Sequence, residues 1–220
     1  HGRTADHLGA YVDQLADALK MDPYGFRRAY AKTDLQRAVL DRVAKEGDWG
    51  RDMEPGTEQG IGMHVEYKNT MAALVEIDCR PATVNRQIRD ACTGPRVTRA
   101  TYVIVQGSQC VNPTGLKAMT MGGMTGGMTG GMMGGIAMTL SASLHIKDGT
   151  PREASWDNYR CTRQWNSPPE LNIVIMDPDP DGEVGGGGEA GVAASMAAVA
   201  CAYRRAVGTT PTSFPINHDE

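Results

Sequence analysis

No run of apolar residues in this 220-residue chain approaches the roughly 20 positions a helix needs to cross a bilayer. No segment has the layout of a secretory signal, although in part of a longer subunit that absence would carry no information on export. Positive charge is not in excess: 22 Lys and Arg against 26 Asp and Glu give a net charge of −4 and a pI near 5.8. The cations are scattered, with only short pairs such as Arg27-Arg28 and Arg204-Arg205, so nothing speaks for a nucleic-acid partner. The five cysteines, Cys79, Cys92, Cys110, Cys161 and Cys201, include no CxxC spacing, which argues against a zinc or iron–sulfur site within the chain. Their odd number favours reduced, structural thiols, and Cys201, set in an alanine-rich run, reads as core packing.

The length suffices for one large domain or two small ones. The first third is helical in pattern. Leu8, Tyr11, Val12, Leu15 and Leu19 repeat at helical spacing; Asp22-Pro23 provides a cap and first position for a second helix carrying Phe26 and Tyr30. Asp34 to Glu46 forms a third helix with Leu35, Ala38, Val39 and Val43 on one face, Gly47 at its end and Trp49 anchoring the loop beyond. A polar, glycine-punctuated connection over 48–60 follows. Strands are expected at 62–67, 72–78 and 100–106, each with the alternation of a half-buried strand, and at 171–176; Lys147-Asp148-Gly149 is a hairpin turn. Helices and strands that mix without strict alternation indicate an α+β fold.

Two glycine-rich segments stand out. Gly185-Gly186-Gly187-Gly188-Glu189-Ala190-Gly191 runs into the small-residue helix Val192 to Ala202. A carboxylate between a backbone-only cradle and a helix N-terminus suits a base beside an anionic cofactor, and the same run is equally consistent with a solvated linker. The second segment, Met121 to Gly135, repeats Gly-Gly-Met-Thr. A thioether site for soft Cu(I) is conceivable there, but methionines filling gaps against a neighbour are the commoner use. So many glycines predict a loop over 122–135, poorly ordered or close to a cofactor, rather than a regular helix. His64 and His145, alone in strand-like segments, read as packed or hydrogen-bonded rather than metal-bound.

Seven motifs in order resemble one family. Val12-Asp13-Gln14-Leu15-Ala16, with Asp22-Pro23-Tyr24 and Phe26-Arg27-Arg28, is similar to its FxDELA…DPxxFRR; Gly60-Ile61-Gly62-Met63-His64 to GRGIAVH; Val111-Asn112-Pro113 to VNP. Trp156-Asp157-Asn158-Tyr159, Pro168-Pro169-Glu170-Leu171, the Glu189 loop, and Ala206-Val207-Gly208-Thr209 with Ser213-Phe214-Pro215-Ile216 complete the series. The chain thereby resembles the C-terminal part of the molybdopterin-binding subunit of xanthine oxidase-type molybdenum hydroxylases, in the isoquinoline 1-oxidoreductase β-subunit or aldehyde dehydrogenase-like branch.

The resemblance implies an oxidoreductase that hydroxylates an N-heteroaromatic ring or an aldehyde with oxygen from water, using molybdopterin cytosine dinucleotide with molybdenum. Glu189 takes the place of the family's base, its pKa raised by an anionic centre and apolar walls. Gly186, Gly187 and Gly188 pass close to the metal, and Asn112, Gly122 and Gly123 contact the cofactor's other end; no residue of this chain is a metal ligand. Electrons leave through iron–sulfur clusters on a partner subunit, with a flavin or cytochrome c subunit as a further member, in the cytoplasm or on the periplasmic side of the cell envelope. The chain starts within a GHSxNAFxxESF-like segment of a much longer subunit, so the remaining part of the molybdenum subunit is expected as a separate chain, and this one is expected to be inert by itself. Residues 1–50 are then a helical segment completing a domain shared with that partner, and 51–220 a molybdopterin-binding α+β domain. Two departures favour an alternative, a scaffold or interaction subunit that no longer binds cofactor. Met119 (or Gly127) stands where the family has Gln, and Gly107-Ser108-Gln109-Cys110 where it has DCG before VNP.

Overall fold

The computed structural model describes residues 2–66, 69–88, 91–92, 94–105, 131–177 and 190–216. Three helices come first: α1 (Gly2–Ala18), α2 (Pro23–Ala29) and α3 (Asp34–Glu46). Asp22 caps α2 through the Gly25 amide with Pro23 at the first position, Thr33 caps α3 through the Gln36 amide, and Gly47 closes it. Trp49 holds the next loop, its indole N–H donating to Asp22 at 3.0 Å while the Arg205 guanidinium lies 4.8 Å over the ring.

Strands β1 (Thr57–Glu66), β2 (Asn69–Asp78), β5 (Arg96–Val105) and β8 (Glu170–Ile175) form one mixed sheet in the order β1-β2-β5-β8. The first two junctions are antiparallel and β5–β8 is parallel. Short pairs flank it: β3 (Gln87–Ile88) with β4 (Ala91–Cys92), and β6 (Ile146–Lys147) with β7 (Thr150–Pro151). Asp148 and Gly149, at φ 52° and 77°, make the two-residue turn expected between the latter. The one-turn helix α4 (Pro81–Val84) follows β2, α5 (Gly131–Leu140) lies between β5 and β8, and α6 (Ala190–Val207) follows β8. The fold is α+β, N-terminal helices preceding a mixed sheet and its covering helices.

The sheet is covered on both faces. Met71, Ala73, Val75, Ile77, Ala100, Tyr102 and Ile104 pack with Met132, Ile136, Ala198 and Val199 of α5 and α6. On the other face Ala72, Leu74 and Val103 pack with Val39, Leu40 and Val43 of α3. β2 therefore lies at the centre of a helix–sheet–helix sandwich with all ten residues buried, which corrects the half-buried reading and explains its nearly unbroken apolar sequence. β1 also starts earlier than its pattern suggested, at Thr57, within the expected 48–60 connection.

The glycine–methionine repeat is corrected in part. Gly131 to Gly135 form the first half of α5, where Met132 and Met133 are buried in the core as filling residues; the rest of the repeat, 121–130, lies outside the described residues. The glycines are tolerated because α5 crosses α6 closely: a Cβ on Gly135 would sit 2.7 Å from the Ser195 side chain. Tertiary packing outweighs the unfavourable propensity.

α6 approaches β1 equally closely. A Cβ on Gly62 would stand 2.6 Å from the Ala194 carbonyl oxygen and 2.7 Å from the Ala198 nitrogen, and one on Gly60 2.8 Å from the Ala202 Cα. The N-terminal layer docks through a buried ion pair: Arg27 reaches Asp13 at 2.6 Å, with the two side chains 8% and 1% exposed, and also donates to the Gly9 carbonyl and the Cys201 thiol. Cys201 is fully buried, as expected of a core thiol.

Gly62→Val should lower unfolding stability by about 3 kcal/mol or more, because neither backbone can retreat. Gly134→Ala, whose Cβ would meet nothing within 4 Å, should raise it by about 0.5–1 kcal/mol. Urea denaturation of both variants checks the pair.

Candidate functional site

All seven candidate site residues, Asn112, Gly122, Gly123, Gly186, Gly187, Gly188 and Glu189, lie outside the described residues. Their frame is described. Val105 ends β5 and leads into 106–130, while Ile175 ends β8 and leads towards 178–189. The two strands are parallel neighbours with Ile104 opposite Ile175, and the Met176 amide extends the ladder to the Ile104 carbonyl at 2.9 Å. Both segments thus depart from the same end of the sheet.

Both also return to one place. α5 begins at Gly131 and α6 at Ala190, and a Cβ on Gly191 would lie 3.3 Å from Gly131 and Met132 backbone atoms. Two helix N-termini therefore meet beside the C-terminal ends of two parallel strands. Such ends carry unsatisfied N–H groups and a partial positive charge, and favour an anionic ligand group. Within the core, Ser195 donates to the Gly191 carbonyl at 2.6 Å and shares a 2.8 Å hydrogen bond with the Tyr102 hydroxyl, fixing the first turns of α6 to β5. Burial pushes the Tyr102 phenol pKa well up, so it stays protonated.

One residue of this region escaped the sequence reading. Asn69 opens β2, paired with Glu66, at the same end of the sheet as Val105. It is 1% exposed, and neither its amide oxygen nor its amide nitrogen has a hydrogen-bond partner among the described residues. An orphaned buried amide costs about 1–3 kcal/mol. By the pleat, Asn69 shares its face with Met71, Ala73 and Val75, the face covered by α5 and α6. Contacts of Gly60 with Ala198 and Ala202, and of Gly62 with Ala194 and Ala198, show α6 running towards its N-terminus as β1 runs towards Glu66. Asn69 accordingly sits near the N-terminal end of α6.

Other chemistry-bearing groups are structural. Burial pushes the thiols of Cys79 and Cys201 up to about 12, which leaves neither as a nucleophile. His145 is held through Nδ1 by Glu153 at 2.6 Å, a hydrogen-bonded histidine as expected. A cleft of about 500 Å³ opens at the opposite end of the sheet, lined by Arg51, Arg80, Arg99, Glu76, Asp78 and Glu170 among others. Its guanidiniums are committed: Arg51 is bidentate on Glu76, Arg80 bidentate on Asp78, and Arg99 lies 3.5 Å from Glu76 and 3.6 Å from Glu170. Burial would raise the Asp78 carboxyl, but hydrogen bonds from the Arg80 side chain and backbone and from Thr83 outweigh it and hold Asp78 down at about 2. Glu76 is lowered likewise, burial being outweighed by Arg51 and Gln59. Among the described residues no group of three or more His, Cys, Asp or Glu is arranged to hold a metal ion, and no helix is long and apolar enough to cross a membrane.

No family model and no curated protein sequence matches this chain. Among solved structures it superposes on the aldehyde oxidoreductase from Desulfovibrio gigas with a TM-score of 0.70 at 12% identity, over 97% of this chain and 40% of that one. A Cu,Mo-CO dehydrogenase and a reconstituted CO dehydrogenase from Oligotropha carboxidovorans align over 64% of this chain at a TM-score of 0.42 and 12% identity, covering 16% and 15% of theirs. The chain has the fold of a portion of the aldehyde oxidoreductase and spans 40% of that protein's length.

A carboxylate whose folded pKa is depressed stabilises the fold above its unfolded value and loses that contribution as pH falls through the folded one. Asp78 should therefore contribute fully above about pH 4 and lose its contribution on the way to about 2. In Arg80→Met the folded value should rise towards the unfolded one, so the loss over this window should shrink, measured as thermal midpoint against pH between 2 and 6.

Proposed function

We propose that this chain is the cofactor-binding portion of a molybdenum hydroxylase-type oxidoreductase. One observation carries the reading: the two segments that hold the family-like motifs share a sheet end at their departure and a pair of touching helix N-termini at their return. The aldehyde oxidoreductase-like fold supports it. The described residues fit a dinucleotide-bearing pterin on two counts, the converging N–H groups for its phosphates and the orphaned Asn69 amide at the same end.

Gly186, Gly187 and Gly188, with Asn112, Gly122 and Gly123, would hold the group by backbone and amide contacts. When bound, molybdenum on its pterin supplies the two-electron oxidation of an electron-poor carbon, with water as the oxygen source. Glu189 takes up the proton released, on a carboxylate oxygen, one residue ahead of the α6 N-terminus. The substrate is an N-heteroaromatic ring or an aldehyde, the cofactor the cytosine dinucleotide form, and the electron acceptor an iron–sulfur partner. The scaffold alternative rests on Met119 and on Gly107-Ser108-Gln109-Cys110, which cannot reproduce the family's amide and DCG contacts.

The other part of the subunit needs a landing surface, and residues 1–50 provide one. Of the apolar side chains that repeat along these helices, Phe26 and Val39 are buried in this chain's own core, Leu15 is 55% exposed, and the Leu8 side chain lies outside the described residues. Tyr11 and Leu19 join Leu15 at i, i+4 and i+8 on the outer side of α1, each 56% exposed. Purified from its source, the chain should travel with a polypeptide that completes the molybdenum subunit. Leu15→Glu with Leu19→Glu should release that polypeptide on size exclusion while the chain itself still folds. A monodisperse single chain with full activity would overturn the assembly.

Glu189→Gln in the native assembly should cut turnover by roughly two to four orders of magnitude. Molybdenum and pterin content should stay near wild type, and Glu183→Gln should behave as wild type. Normal turnover in Glu189→Gln would end the assignment of the base; an assembly that never contains molybdenum would favour the scaffold.

A further inference from the structure

We infer that Asn69 recognises the amide edge of a planar heterocycle, a pterin or a nucleobase, at the end of the sheet where β5 and β8 finish and the N-termini of α5 and α6 meet. The inference deepens the proposed function and rests on it only for the presence of such a ligand at that end.

The argument starts from the cost of the residue. A carboxamide that is 1% exposed and has no partner at either end among the described residues is costly in the unliganded fold. A leucine, with the same number and branching of side-chain heavy atoms, would avoid that cost at the head of a fully buried strand, and β2 carries apolar residues from Met71 to Val75. A polar pair held in place without partners is preorganised for a ligand that supplies them. Among the described residues nothing claims the amide: the Ser195 and Tyr102 hydroxyls deeper on the same face satisfy each other.

The nature of the ligand follows from which atoms are orphaned. A phosphate presents acceptors only and would leave the Asn69 oxygen unsatisfied. A cation would leave the nitrogen unsatisfied. A heterocyclic amide or aminopyrimidine edge offers a donor and an acceptor side by side, and satisfies both in one plane. The division of labour is then clear: converging helix N-termini for the anion, Asn69 for the ring.

The experiment uses the full chain, with 6-hydroxymethylpterin, cytidine monophosphate and pyrophosphate as separate probes in calorimetric titrations. Wild type should bind pterin or the nucleotide, and which of the two answers identifies the ring. Asn69→Leu should weaken that probe by roughly 10–100-fold, since a site built to hydrogen-bond a polar edge loses its discrimination with the amide. Pyrophosphate binding should stay within about twofold. Asn69→Asp, the same shape with no donor N–H₂, should lose the ring as well. Without ligand, Asn69→Leu should melt roughly 2–10 °C higher than wild type, as expected when an unpartnered buried amide is removed. A lower melting point, equal weakening of pyrophosphate, unchanged ring affinity, or no ring binding by wild type would each overturn the inference. None of these readouts involves turnover, so they are independent of whether Glu189→Gln ends the catalytic reading.

Discussion

The separation between α6 and the β1–β2 ribbon is the constraint on which the other placements depend. Backbone meets backbone there: Gly60 and Gly62 leave room on the strand, and Ala194, Ala198 and Ala202 present the helix with minimal side chains. With no side chains to adjust, the helix has one height above the sheet. That height lets Gly135 of α5 cross beside Val192 and Ser195, and lets Gly131 meet Gly191, so the two helix N-termini converge rather than splay. It also presents the other side of α6 to α1, where Cys201 meets Arg27. An alanine-rich helix is a poor source of apolar area per residue, but it is well suited to fixing positions.

The buried Arg27–Asp13 pair illustrates a different trade. Two charges are desolvated to join α1 and α2 to α6, and Asp13 Oδ2 still has no partner among the described residues. Such a pair adds little net stability over apolar packing. Its geometric demand is stricter, because the guanidinium must meet Asp13, the Gly9 carbonyl and the Cys201 thiol together. The N-terminal helices are thereby fixed in register to the last helix.

Local chemistry made much of this fold legible. Asp22-Pro23, Gly47 and Asp148-Gly149 are caps and turns whose residues act within three or four positions, and the structure uses them as such. What misled was context. β2 was expected to alternate because its neighbours do, yet both faces are covered. Gly131 to Gly135 looked incapable of helix because propensity counts the chain alone, while the α6 crossing requires residues of that size. For the candidate site, the glycine segments were legible as composition; their shared sheet end was not, since it depends on β5 and β8 being parallel neighbours. Asn69 gave no signal at all: one asparagine before an apolar run is ordinary until its burial and missing partners are known.

The order in which these parts are made has a cost of its own. β1 and β2 are complete by residue 78, but the helix that covers them spans 190–207. On a ribosome the central strand would emerge more than a hundred residues before its lid, with the apolar face of Met71, Ala73, Val75 and Ile77 awaiting it. Pairings this distant in sequence form late and leave intermediates prone to association. Slow synthesis ahead of residues 190–207, or loss of a holding chaperone, would therefore harm this chain more than an equally stable protein built from local contacts.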